Sequence, residues 1–267
     1  MSPALPGPWA ALSSAAIAAL PADTVAVLPL GATEQHGPHL PTGTDTMLVE
    51  AVLSRALDRL PAGHPLVVLP SMTVTKSGEH AAWPGTLAIG PALMLGLIDA
   101  IGAGVARAGL RRLFLLNGHG GNTALLEVAV RELRQDHGLI TAHASWFGFA
   151  DLSSWPGGDL HDDLHGGDLE TSAMLALQAD LVAMDRAGEF GTSLDVWERE
   201  APAIGLSGQA VRPGWLAQDL NAAGAMGRAL AASAEKGEAL LHGAAEALAE
   251  ALRQFARFDP SGKGASS

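Results

Sequence analysis

The run Thr33-Glu34-Gln35-His36-Gly37-Pro38-His39, followed by Thr44-Asp45-Thr46, gathers two carboxylates and up to two imidazoles within a dozen positions. Carboxylate oxygens and imidazole nitrogens are the ligands that hard and borderline divalent cations take, so the run points to a metal-dependent enzyme. Glu34 and His36 stand two apart, and an extended backbone turns both to the same side. Asp45 precedes a helical pattern and reads equally well as a ligand or as a helix N-cap. Gln35 and His39 fit supporting or surface roles better than ligation.

Two further segments carry the same chemistry. Asn117-Gly118-His119-Gly120-Gly121-Asn122 follows an apolar run. Its glycines allow a tight turn with exposed backbone N–H groups, suited to an anion, a nucleotide phosphate or an oxyanion near Gly120. A dinucleotide fingerprint needs a glycine where Thr123 stands, so His119 as a ligand is the better reading. Asp162-Asp163-Leu164-His165-Gly166-Gly167-Asp168-Leu169-Glu170 precedes a helical run over 173–178. Alone, its carboxylates would serve a charged first turn. Beside a site rich in Glu, His and Asp, His165 suits a proton shuttle and Glu170 a ligand or general base. A loop holding Ser77, Gly78, Glu79 and His80 either lines the pocket or serves structure.

The elements that must position these residues are visible as period and run length. Apolar runs at 25–30, 66–69, 113–116 and 139–144 read as buried parallel strands, and helical spacing appears at 47–60, 91–108 and 124–137. The alternation predicts an α/β fold, a three-layer Rossmann-like domain with a mostly parallel sheet flanked by helices. The polar segments begin where strands stop, which places them together at the carboxyl edge. Residues 153–167 and 188–216 read as long irregular loops, 222–258 as one or two helices, and 259–267 as a flexible tail after a single domain over 1–258.

Composition narrows the partners. With 16 Lys and Arg against 28 Asp and Glu the net charge is −12, and aromatics are 4%, so a nucleic-acid surface is not expected. No apolar run is long enough to span a bilayer, and the N-terminal residues lack a leader pattern, which suggests a soluble cytoplasmic protein. There is no Cys, so disulfides and thiolate ligands are excluded.

Taken in order, the segments Gly31 to Pro41 with Asp45, Asn117 to Asn122, and His165 to Ser172 resemble the creatininase (creatinine amidohydrolase) family. The likeness implies hydrolysis of a non-peptide cyclic or linear amide C–N bond through a hydroxide bridging two divalent metal ions, zinc, manganese or iron, in a homohexamer. It implies Glu34, His36, Asp45 and His119 as ligands, with Asp45 bridging, and His165 and Glu170 in catalysis. Asp162 matches an Asp of the family pattern, and with Ser77 of the 77–80 loop and Gly120 of the glycine-rich turn it makes up the expected substrate contacts. The family's creatinine-cleaving members carry a Glu where this chain has Gly121, and Glu170 is the expected replacement as a ligand. A pocket Trp of the family falls at His161 here, with Trp146 and Trp155 nearby. The same loop form occurs in members acting as a deformylase and as a peptidase, and a non-catalytic nucleotide- or anion-binding module is the remaining alternative.

Overall fold

Four apolar-rich runs become four parallel strands, and the two inner ones, 25–30 and 112–117, are covered on both faces and buried at every position, whereas the edge strand 140–145 is partly exposed throughout. The computed structural model describes residues 7–153, 155–156, 160–206 and 208–262. Strands β1 (Val25–Leu30), β2 (Leu66–Val68), β3 (Arg112–Asn117) and β4 (Ile140–Ser145) pair in the order β2-β1-β3-β4, all parallel. Successive residues of β1 feed opposite cores. Val25 and Val27 pack with helices α2 (Thr44–Leu57), α5 (Asp168–Gln178) and α8 (Ala234–Phe255), whereas Ala26 and Leu28 pack with α3 (Pro91–Arg107) and α4 (Thr123–His137). Helices therefore cover both faces of the sheet, giving the three layers expected.

The remaining helices, α1 (Ser14–Ala18), α6 (Leu194–Glu200) and α7 (Ala217–Leu220), are short, and β5 (Glu189–Phe190) pairs antiparallel with β6 (Gly227–Arg228). Three expectations need correction. The stretch 188–216 is not wholly irregular, since it contains β5 and α6. The last helix starts at Ala234 rather than near 222, because Gly224 and Gly227 take φ of 79° and 125°, outside the helical region, and Gly227 is committed to β6. Helix α2 begins at Thr44, so Asp45 lies in its first turn instead of capping it. Of the expected tail, 263–267 lie outside the described residues, as do 1–6, 154, 157–159 and 207. No helix among the described residues is long and apolar enough to cross a membrane.

Helices α5 and α8 are joined by a buried ion pair. Lys236 Nζ donates to Asp168 Oδ2 at 2.5 Å and lies 5.2 Å from the Trp155 ring centroid. Asp168 also accepts from Trp155 Nε1 and Ser172 Oγ, each at 2.9 Å. Because removing one partner strands a buried charge, Lys236→Met should destabilise the fold by about 3 kcal/mol in urea denaturation. The Lys236→Met/Asp168→Asn double variant should recover part of that loss.

Candidate metal centre

Parallel strands present their carboxyl ends along one edge, and the chemistry collects there. Glu34 and His36 leave the end of β1, Asp45 sits in the first turn of α2, His119 follows β3, and His165 and Glu170 flank the start of α5. All six are buried. His119 donates from Nε2 to the Lys76 carbonyl at 3.0 Å, which turns Nδ1 toward Glu34 Oε1 at 3.2 Å and Asp45 Oδ2 at 3.3 Å. His36 Nδ1 lies 3.1 Å from the Glu34 carbonyl, and its Nε2 faces Asp45 Oδ1 at 3.2 Å and Glu170 Oε2 at 3.8 Å. Two donor triads share Asp45, Glu34/Asp45/His119 and His36/Asp45/Glu170, with one Asp45 oxygen facing each, and a third buried triad, Glu34/His36/His165, lies beside them. The structure thus brings together every candidate ligand read from the sequence.

The donor set fits divalent cations. Glu34 Oε1 and Asp45 Oδ2 are buried and accept no hydrogen bond among the described residues, an arrangement that is costly unless positive charge lies between them. Without a cation, protons take that place. Burial alone would lower the pKa of His36, but Asp45, Glu170 and Glu34 raise it to about 10. His119 is likewise raised well above the usual imidazole value by Glu34 and Asp45, against the effect of burial. Burial, followed by the charge of Asp45, raises the Glu34 carboxyl, while burial raises Glu170 to about 7 against the pull of His36. His165 behaves oppositely, held well below the usual value by burial and then by His36 and His80.

A cavity of about 740 Å³ opens over these donors, walled by Phe147, Leu152, Leu206 and Trp215, with Lys76 and Arg212 on its polar side. Gly120 lines it. Ser77 does not: it is fully buried, and its hydroxyl donates to Glu34 Oε2, so it orients that carboxylate. Asp162 is turned away from the donors because Leu164 and His165 pair with Met226. It accepts from Thr192 Oγ1 at 2.5 Å and lines a separate cavity of about 480 Å³. Trp155 lines that second cavity and Trp146 is wholly buried, so Trp215 is the indole over the donors.

The sequence leaves the 77–80 loop between a pocket-lining and a structural role, and the structure places Glu79 and His80 in the cavity wall. Glu79 accounts for Gly121. A Cβ at position 121 would lie 2.1 Å from Glu79 Oε1 and 2.4 Å from His119 Nε2, so the carboxylate of Glu79 fills the space a side chain there would enter. Gly121→Ala must displace the imidazole or the carboxylate. It should weaken zinc binding by about 10- to 100-fold, read by competition with a chromogenic chelator.

The Asn117 loop spends its amides internally. Gly118, His119 and Asn122 N–H groups bond to the Leu30 carbonyl, Asn117 Oδ1 and the His119 carbonyl, leaving little for a nucleotide phosphate. Known proteins agree with a metal centre. The family described as Creatininase, creatinine amidohydrolase, matches residues 10–252. The creatinine amidohydrolase of Pseudomonas putida is 34% identical over 251 residues, covering 87% of this chain and 90% of that protein. A mycofactocin precursor peptide peptidase of Mycolicibacterium smegmatis is 37% identical over 161 residues, or 60% of each chain. Solved creatininases, one in a manganese form and one a Glu-to-Gln variant of Zn–Zn type, both superpose with a TM-score of 0.73. They share 31% and 32% identity, and each comparison covers 92% of this chain and 97% or 96% of the other. With its three motifs in order on a matching fold, the chain belongs to the creatininase family.

Proposed function

We propose that the protein hydrolyses a non-peptide amide C–N bond at a two-cation centre. The observation that carries this reading is the pair of buried donor triads sharing Asp45 beneath an open cavity. Two divalent ions, zinc or manganese, would supply Lewis acidity there, activating water and polarising the carbonyl. Water adds its oxygen to the amide carbon, the C–N bond breaks, and the departing nitrogen needs a proton. His165 would carry it. Its Nε2 donates to the Gln35 carbonyl at 2.6 Å, which leaves Nδ1 as the basic nitrogen, 3.6 Å from Glu34 Oε1. Gly120 lines the cavity, and a backbone N–H there would suit the oxyanion. The apolar wall of the cavity favours an amide bulkier than a single small ring, and a peptide-like substrate is the second reading. Family likeness supports a homohexamer, and the lack of Cys fits a cytoplasmic setting.

The test is a screen of zinc- and manganese-loaded protein against creatinine, hydantoins and other lactams, formamides, and short peptides. One class should turn over, stop on chelation and resume on adding metal. Full turnover by chelated protein would overturn the reading.

A further inference from the structure

Gln35 lies between two ligands in the chain, yet its side chain points away from both. Its Oε1 accepts the Gly37 N–H at 2.8 Å, and a backbone amide can only donate, so the orientation of the carboxamide is fixed. Its Nε2 then donates to the Gly224 carbonyl at 2.8 Å and meets His80 Nδ1 at 2.8 Å. An amide nitrogen cannot accept, so His80 Nδ1 must. The ring is therefore neutral and carries its proton on Nε2.

That N–H has no hydrogen-bond partner among the described residues. It lies 3.6 Å from Glu34 Oε1, beyond hydrogen-bond reach, and His80 lines the cavity although only 3% exposed. The ring is held in place by stacking on His165 at 4.1 Å, and His165 in turn lies 4.1 Å from His36. Ligation does not explain His80. Its Nδ1 is taken by Gln35, its Nε2 is protonated, and it belongs to none of the donor triads. A donor without a partner in the cavity wall, beside the donor cluster at Glu34, is suited to charge that appears only during the reaction.

We propose that His80 is a catalytic residue whose Nε2–H donates a hydrogen bond to the substrate carbonyl oxygen as negative charge gathers on it. Gln35 is the positioning residue that keeps the proton on Nε2. The role rests on the amidohydrolase reading above, whereas the tautomer can be measured without it.

Two-bond ¹H–¹⁵N correlation spectra of the zinc-loaded protein, with His80 assigned by its absence in His80→Gln, should show the Nε2–H pattern. With the amide identified by the screen, His80→Asn should lose about 10²-fold in kcat with KM and bound zinc near wild type. His80→Gln, which restores an N–H near the Nε2 position, should stay within about tenfold of wild type. An Nδ1–H pattern would overturn the proposal. So would equal losses in the Asn and Gln variants, an unimpaired Asn variant, or loss of zinc from both. A wild-type protein that cleaves no amide would overturn the reading of the site and this role with it, whereas failure of the role alone leaves wild-type turnover intact.

Discussion

Asp45→Asn should leave a folded chain that retains neither cation and turns over at least about 10³-fold more slowly than wild type. Asp45 is the only residue common to the two carboxylate-containing triads on either side of it, with Oδ1 facing His36 and Oδ2 facing His119. Asparagine keeps the volume but supplies one weak acceptor and one N–H donor where two anionic oxygens are needed. In wild type, burial disfavours the Asp45 charge, but His36 and His119 hold the carboxyl far below its usual range. The same contacts are what keep protons on those imidazoles when metal is absent, so the variant should also lose that proton uptake. Metal analysis after gel filtration and thermal melting with and without zinc check the result. Wild type should gain about 2.7 kcal/mol at a hundredfold excess of zinc over its Kd, and the variant nothing. Two equivalents of metal with near-normal turnover in the variant would remove Asp45 from its bridging place.

How much of this was visible before the structure depends on the kind of signal each residue leaves. The strands were legible to within a residue or two, since burial on both faces writes them as unbroken apolar runs such as 25–30. The candidate ligands Glu34, His36 and His119 were legible because loops at strand ends hold few other chemically capable residues. His80 is legible only as part of a loop that either lines the pocket or serves structure, because its role comes from Gln35, 45 positions away, and from ring stacking that no local period reports. Trp215 reaches the cavity from a segment with no periodic pattern. Asp162 failed in the opposite direction, because adjacency to His165 in sequence does not survive the chain reversal against Met226. Asp163, one residue on, accepts the Asp168 N–H at 2.6 Å and so caps the helix that carries Glu170.

Glu170→Gln separates a ligand from a general base by what happens to metal. As a ligand, Glu170 is the only carboxylate besides Asp45 in its triad, so the variant should bind one zinc per chain instead of two, with the Glu34/Asp45/His119 site filled. A general base outside the coordination sphere would leave both ions in place while turnover collapsed. The pH dependence gives a second measure. In the metal-free protein burial raises the Glu170 carboxyl from 4.5 to about 7, so the folded state holds its proton more tightly than the unfolded state. Its contribution is therefore fully present below pH 4.5 and lost as pH rises through 7, a difference of about 3 kcal/mol between wild type and variant across that window. His36, raised to about 10 in part by Glu170, loses its own contribution from pH 6.5 upward in wild type and over a narrower range in the variant, so the Glu170 component is read below pH 6.5. His39 and His80, which burial lowers to about 4 and 3, act the other way below 6.5 and cancel in the comparison. A bound cation reverses the Glu170 slope, because it favours the carboxylate. The wild type should then take up its second zinc more tightly as pH climbs from 5 to 8, and the glutamine variant should lack that component.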